Sequence, residues 1–349
     1  MTLLIEKLVN DMTTQFDITL AGAETSFKCA EDDTILRAGL REGLGLAYEC
    51  NTGACGSCKF ELLEGEVLDL YPEAGGLRAK EREKGKRLAC QCVPLSPCRI
   101  RIHTGDQYKS PFRPARFRAR FESYRAITPD MGVIAFKGEE RAAQFVAGQY
   151  AMLTLGAGPH TRAYSMSNTA NDEGLWEFII RAVPGGAVSP LFGQLNAGDE
   201  VEIDGPFGVA YFRPEIARPV VGIAGGSGLA PVLSILRAAG GDTGFSQALS
   251  LFYGGRGPSD IPDIPSMLGD VAGRVSYHPA VSVTELAQEQ GWTGEVGFVH
   301  EQLPSKLELP LAAYEYYMAG PPVMIEAVVR MLVADHKVPM DQIHFDRFF

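Results

Sequence analysis

Three cysteines fall within nine residues in the stretch Cys50-Asn51-Thr52-Gly53-Ala54-Cys55-Gly56-Ser57-Cys58, and every residue between them is small or polar. Cys-x4-Cys-x2-Cys followed by a distant fourth cysteine is the spacing that holds a two-iron, two-sulfide cluster. Four thiolates must converge on two irons, so the backbone has to wrap the cluster closely. Gly53, Ala54, Gly56 and Ser57 leave that room, and the loop N–H groups can then turn toward the sulfurs. The segment Arg87-Leu88-Ala89-Cys90-Gln91-Cys92 offers two candidates for the fourth ligand. Cys90 closes a short apolar run expected to be a buried strand and is the preferred ligand. Cys92 shares its face by strand alternation and is the alternative. A zinc site built on Cys55-x2-Cys58 leaves Cys50 idle and gives no reason for the four-residue gap. Cys29 and Cys98 read as small packed hydrophobes.

A second group of residues has the chemistry of a flat, phosphorylated cofactor. Arg162-Ala163-Tyr164-Ser165 lies on an expected strand, where an arginine fork suits a phosphate and an aromatic ring suits a planar ring system. About twenty residues on, Val183-Pro184-Gly185-Gly186-Ala187-Val188-Ser189 is a glycine turn that opens a short helix, a cradle for a pyrophosphate. A third group, Gly225-Gly226-Ser227-Gly228-Leu229-Ala230-Pro231, follows the apolar strand Val220–Ala224. It departs from Gly-x-Gly-x-x-Gly, yet its glycines give the same close backbone approach at a helix N-terminus. Tyr253-Gly254-Gly255-Arg256 after the next strand can reach ribose and phosphate, and Tyr317-Met318-Ala319-Gly320-Pro321-Pro322 reads as a rigid strand-to-helix turn.

These groups need elements to hold them, and the sequence supplies three kinds. From about Phe16 to Thr104, short strands and turns surround the cysteine loop, with a helix expected over Thr34–Arg41 and Asp32 or Asp33 near its N-terminus. Leu3–Met12 is weakly amphipathic, and the charged stretch Ala79–Lys86 reads as a solvated face. Two prolines mark Gly105–Pro114 as a linker. The chain is strand-rich again from Ala115 to about Gly208, apart from a short helix at Ser189–Leu195. Beyond Pro219, apolar strands alternate with helices such as Pro231–Ala239 and Val323–Lys337, the pattern of a parallel sheet. The expected domains are 1–108, 113–214 and 215–349.

Composition narrows the function class. The chain has 349 residues, is 46% hydrophobic and contains seven cysteines, enough for two or three globular domains. A disulfide scaffold does not suit so long a chain with no export signal. Its net charge of −11 argues against a nucleic-acid partner. No apolar run is long enough for a membrane span. Met1–Lys7 has neither a basic leader nor a long apolar core, so the expected address is cytoplasmic.

Taken in order, Arg162-Ala163-Tyr164-Ser165 and Gly186-x-x-Ser189 resemble the flavin signature of the ferredoxin–NADP reductase superfamily, and Phe145–Tyr150 resembles the strand before it. The resemblance implies a β-grasp, plant-type ferredoxin domain, an antiparallel β-barrel flavin domain and a doubly wound parallel-sheet nucleotide domain, a multidomain α+β and α/β chain. It implies a [2Fe–2S] cluster on Cys50, Cys55, Cys58 and Cys90, and FAD held by Arg162, Ala163, Tyr164, Ser165, Gly186, Val188 and Ser189. Ser165 then lies near the reactive ring nitrogen. NADH is held by Gly225, Gly226, Ser227, Gly228, Tyr253, Arg256, Gly320 and Pro321, with Ser227 bordering the nicotinamide. Ala319 stands where many members carry cysteine, so no thiol acts there. The ending Asp346-Arg347-Phe348-Phe349 aligns Phe348, with Phe349 next to it, as the aromatic cover of the flavin. Arg256 could grip a 2′-phosphate, but Asp260 and Asp263 nearby would repel one; NADH over NADPH is implied chiefly by the resemblance, whose members prefer it.

The order of the three domains resembles the reductase components of bacterial multicomponent oxygenases, with toluene monooxygenase reductases the nearest fit. Tyr48-Glu49-Cys50-Asn51, Leu62–Val67, Ala89–Cys92 and Ile343–Phe349 carry that likeness. It implies that NADH gives two electrons as hydride to FAD, which passes them singly through the cluster to an acceptor. The acceptor is then the oxygenase, or a Rieske-type ferredoxin, of an aromatic or alkene diiron monooxygenase, and the reductase itself is expected to be monomeric. The rivals are the reductase of a Rieske ring-hydroxylating dioxygenase, a stand-alone small-molecule reductase and a zinc-bearing interaction protein. None of the six histidines is assigned a catalytic role.

Overall fold

The computed structural model describes residues 14–23, 25–139, 141–155, 161–183, 185–186 and 189–348, with 189–191 described in backbone only. Leu3–Met12, Val188 and Phe349 lie outside the described residues, as does the side chain of Ser189. Two compact units divide the chain, Met1–Ala115 and Arg116–Phe349.

The first unit is a five-stranded sheet in the order Ser26–Ala30, Gln15–Leu20, Cys98–Ile102, Lys59–Glu64 and Lys86–Leu88. Alternate residues of the strands turn inward, Phe27 and Cys29 on one, Cys98 and Ile100 on another. The helix Ile35–Arg41 contributes Ile35, Leu36, Ala38 and Leu40 to the interior. Its N-terminus is capped by Thr34, whose hydroxyl accepts the Arg37 N–H at 3.3 Å. Asp33, expected near that end, supports the cap by accepting the Thr34 N–H at 2.8 Å. A sheet with a parallel central pair, Gln15–Leu20 beside Cys98–Ile102, and a helix across it is a β-grasp.

The second unit holds two sheets of six strands each. One is antiparallel and runs from Thr161–Ser165 through Tyr150–Leu155, Glu200–Phe207, Ala115–Ala126 and Met131–Gly138 to Leu175–Arg181. A bridge between Met166 and Phe178 joins its first and last strands, so the sheet curls into a barrel. Trp176, Phe136, Phe178 and Phe192 fill the interior. The other sheet is parallel, in the order Glu295–Val296, Val275–Val281, Leu249–Gly255, Val220–Gly225, Glu315–Gly320 and Ile343–Arg347. Successive side chains of its central strands enter separate cores, Val220 and Ala224 on one face, Val221 and Ile223 on the other. The sheet is therefore covered on both sides, which explains why these strands are apolar throughout. The core on the first face continues into the barrel through Met131, Ile179 and Phe212.

Among the described residues no helix is long and apolar enough to cross a membrane.

Candidate functional site

The cysteine loop is fixed by its backbone. Asn51, Gly53 and Gly56 all have positive φ, at 57°, 83° and 78°. The turn that follows presses on the loop: Gly76 N–H donates to Gly53 O at 2.9 Å. A Cβ on Gly53 would lie 3.0 Å from Ala74 Cβ, and one on Gly76 would lie 2.6 Å from Gly53 O. Glycine is required at both places because the strap and the loop share that space.

This packing turns the thiols inward in two pairs. Cys50 and Cys55 approach to 3.2 Å between sulfurs, and Cys58 and Cys90 to 3.3 Å. The backbone N–H groups of Thr52 and Cys55 donate to Cys50 Sγ at 3.4 and 3.3 Å, and that of Ser57 to Cys55 Sγ at 3.4 Å. A hydrogen bond from Cys55, together with these donors, holds the Cys50 thiol down at about 5 despite its burial. Its partner is pushed up by sharing that hydrogen bond and by burial. Cys90 is raised by its bond to Cys58, by burial, and by the nearby charges of Cys58 and Cys50, so the two pairs adjoin. Among the described residues no three His, Cys, Asp or Glu side chains converge on one point. Thiols that meet two by two, under N–H donors that stabilise negative sulfur, fit a cluster of two irons.

The expected strand through Cys90 is corrected here. Leu88 ends one strand, Ala89–Gln91 forms a 3-10 turn, and Cys92 begins another strand. The turn breaks the alternation, so Cys90 and Cys92 do not share a face. Cys92 lies opposite Asp69, fully buried. Cys29 and Cys98 are packed in the interior, their thiols raised chiefly by burial.

In the barrel, Arg162, Ala163, Tyr164 and Ser165 occupy one strand paired with Tyr150–Leu155. Arg162 is exposed and donates to Thr161 O at 2.9 Å, while Ser165 is buried. The Tyr164 ring meets Phe192 edge-on at 5.3 Å, and burial pushes its hydroxyl up to about 12. Buried Gln149 fixes the preceding turn by accepting the Val146 N–H at 2.8 Å. Gly186 N–H closes a turn onto Val183 O at 2.9 Å.

A cleft of about 270 Å³ opens at the C-terminal ends of the parallel strands, lined in part by Gly225, Gly226, Tyr253, Gly255, Arg256 and Pro321. Strand Val220–Gly225 runs through a turn at Gly226–Gly228 into the helix Leu229–Gly241. Gly226 has φ 57°, and a Cβ on Gly228 would strike the backbone of Ala319. Glycine there lets the two strand-end turns meet. Tyr253 is wholly buried, its hydroxyl lying 3.4 Å from Gly226 O and 3.3 Å from Asp260 O. Ser227 is half-buried in the turn. Half-buried Phe348 is tied to the Gly320 turn by its N–H, which donates to Gly320 O at 3.0 Å. Asp130 and Arg181, an ion pair at 2.6 Å, also line the cleft, as does Phe298. Sequence reasoning did not single out these three. Asp130 and Arg181 reach the cleft from the barrel, 51 residues apart, with no motif between them.

Paired thiols on a β-grasp sheet, a barrel carrying Arg-x-Tyr-Ser and a glycine-lined cleft on a parallel sheet define a flavin- and iron–sulfur-dependent oxidoreductase. Comparison with known proteins agrees. Residues 18–95 match the 2Fe-2S iron-sulfur cluster binding domain, 118–212 the oxidoreductase FAD-binding domain and 223–330 the oxidoreductase NAD-binding domain. The chain is 40% identical over 324 residues to the ferredoxin–NAD(P)(+) reductase CarAd of Metapseudomonas resinovorans, covering 92% of this chain and 96% of that one. It is 36% identical to the ferredoxin–NAD(+) reductase component of the alkene monooxygenase system of Xanthobacter autotrophicus, covering 93% and 98%. A solved structure, the ferredoxin reductase in carbazole 1,9a-dioxygenase, superposes with a TM-score of 0.89 at 37% identity, over 96% of this chain and 99% of that one. The chain belongs to the family of iron–sulfur flavoprotein reductases that are the electron-transfer components of multicomponent oxygenases. It carries a [2Fe–2S] cluster, FAD and a nicotinamide coenzyme.

Proposed function

We propose that the chain takes electrons in pairs from NADH and delivers them singly to the oxygenase, or the Rieske-type ferredoxin, of an aromatic or alkene diiron monooxygenase. FAD and the cluster supply the conversion between two-electron and one-electron transfer when bound. The protein's part is to bind, orient and exclude water. In this reading residues 1–108, 113–214 and 215–349 are the cluster, flavin and nicotinamide domains of a cytoplasmic monomer.

Cys50 and Cys55 would hold one iron and Cys58 and Cys90 the other. Arg162 grips the flavin pyrophosphate with Gly186, Val188 and Ser189, Tyr164 packs along the ring, and Ser165 stands beside its reactive edge. Gly225, Gly226, Ser227 and Gly228 would admit the coenzyme backbone, and Phe348 would cover the flavin face. The observation that carries the reading is the pair of thiol contacts at 3.2 and 3.3 Å on the same chain as the glycine-lined cleft.

Anaerobic addition of NADH to the purified holoprotein tests it. Flavin and cluster absorption should both bleach, with two irons and two acid-labile sulfides per chain. Zinc in place of iron, or a cluster band that NADH leaves intact, contradicts the assignment. A second reading, service to a Rieske dioxygenase, is favoured by the carbazole dioxygenase reductase at 37% identity. Stopped-flow reduction of a diiron hydroxylase and of a Rieske ferredoxin by the NADH-reduced protein separates the two.

A further inference from the structure

The first unit carries an apolar ribbon whose middle is covered, with Val93 only 5% exposed, but whose leucines are left half bare. Strand Val67–Asp69 pairs antiparallel with Cys92–Pro94, Leu68 opposite Val93. The ladder continues at both ends, through Leu95 N–H to Glu66 O at 2.9 Å and Leu70 N–H to Gln91 O at 2.7 Å. Alternation puts Glu66, Leu68 and Leu70 on one face, and pairing places Leu95 on that face across from Glu66. Leu68, Leu70, Tyr71 and Leu95 are 50%, 53%, 52% and 52% exposed. Single exposed leucines are ordinary, but four large apolar side chains grouped on one ribbon mark a contact surface.

The ribbon is joined directly to the cluster loop. Leu70 bonds to the carbonyl of Gln91, the neighbour of Cys90. Tyr71 opens the turn whose Ala74 and Gly76 strap the loop at Gly53. One peptide and one hydrogen bond therefore separate a cluster ligand from the exposed strip.

Its rim carries two exposed carboxylates. Glu66 and Glu73 are exposed and have no ionic partner among the described residues. Of the basic groups nearby, Arg99 pairs with Glu64 at 3.1 Å, Arg82 lies 4.0 Å from Asp69, and Arg87 acts on Cys92 beside Asp69 while donating to Lys86 O. A second copy of this chain, with the same rim and a net charge of −11, would be repelled.

We propose that this ribbon is the seat of a one-electron acceptor protein whose docking face is apolar at its centre and basic at its rim. The proposal deepens the electron-transfer reading above and rests on it. Attraction between rims speeds encounter, and burial of the leucines and the tyrosine holds the complex. One electron leaves the cluster, which is oxidised, and enters the acceptor's metal centre, which is reduced. No bond breaks and no proton moves.

The test uses the holoprotein with NADH and two acceptors: cytochrome c, a basic one-electron haem protein, and ferricyanide, which needs no docking surface. Leu70→Ser with Tyr71→Ser should slow cytochrome c reduction at least about 5-fold, the loss expected when the centre of an interface is truncated. Ferricyanide reduction should stay within about twofold of wild type on the same argument. Glu66→Gln with Glu73→Gln should flatten the fall of the cytochrome c rate with added salt. Should the first double variant lose iron, Leu68→Ser and Leu95→Ser on the same face carry the same comparison. Unchanged cytochrome c rates, an equal loss with both acceptors, or an unaltered salt dependence overturns the docking surface. Wild-type protein that NADH cannot bleach instead defeats the electron-transfer reading itself, whatever the variants do.

Discussion

Cys90 and Cys92 are two residues apart and both buried, and only the backbone between them decides which one meets Cys58. The 3-10 turn Ala89–Gln91 rotates Cys90 to within 3.3 Å of Cys58 and leaves Cys92 packed opposite Asp69. Cys90→Ala should therefore remove most of the iron, sulfide and visible cluster absorption. Cys92→Ala should keep them and lose only about 1–2 kcal/mol of stability to a small cavity. Iron content of the two variants checks this, and equal losses contradict it. In the proposed reading, coenzyme choice would rest on one residue, Asp260. Asp260 Oδ2 accepts the Arg256 and Gly257 N–H groups at 2.9 and 3.2 Å, and lies 3.6 Å from the Arg256 guanidinium. If the coenzyme ribose lies here, this carboxylate would occupy the donors and offset the positive charge that a 2′-phosphate would use. Asp263 is turned instead to Ser266, where it caps a short helix. Asp260→Ala should raise kcat/KM for NADPH relative to NADH about 10-fold, the worth of one charge-assisted contact. An unchanged ratio would remove Asp260 from coenzyme selection.

The last strand, Ile343–Arg347, leads to Phe348 and is anchored by a buried carboxylate. Glu315 begins the neighbouring strand with its side chain 1% exposed, bonded to Arg218 at 2.8 Å and His344 at 2.6 Å. Burial alone would raise its pKa, but the hydrogen bonds from His344 and Arg218 together outweigh that and hold it below 4.5. A carboxyl lowered on folding contributes stability above its unfolded pKa and loses it as pH falls through the folded value. Glu315→Gln should cost about 2–3 kcal/mol near neutral pH, less than for a fully buried pair because Arg218 is partly exposed. The gap between variant and wild-type Tm should narrow as pH drops below about 4.5. A gap that does not change with pH contradicts the ionic role. The sequence could not show this anchor, because its partners lie 97 and 29 residues from Glu315. The meeting of Cys50 and Cys55, by contrast, was legible, since thiols five residues apart are placed by their own loop. The apolar strand Val220–Ala224 and the glycine turn after it were legible for the same local reason. Asp130, Arg181 and the ribbon at Leu68 and Leu95 were not, because strand pairing between distant segments brings them together.

At the scale of the whole chain, the division at Ala115 and Arg116 sets what can be separated. The barrel has its own core, but it also packs on the parallel sheet through Met131, Ile179 and Phe212, so the two stay together in one unit. The five-stranded sheet and its helix lie wholly within the first unit, with Ile35, Leu36, Phe60 and Ile100 at no more than 1% exposure. Residues 116–349 produced alone should therefore fold, retain FAD and reduce ferricyanide with NADH within about threefold of the full chain. The same fragment should lose nearly all cytochrome c reduction, because the cluster and the docking ribbon are gone. Residues 1–115 should assemble a cluster that dithionite bleaches and NADH does not. If the larger fragment fails to fold, the two units are not separable; if it folds and still reduces cytochrome c at the full rate, the first unit is not the exit through which electrons leave.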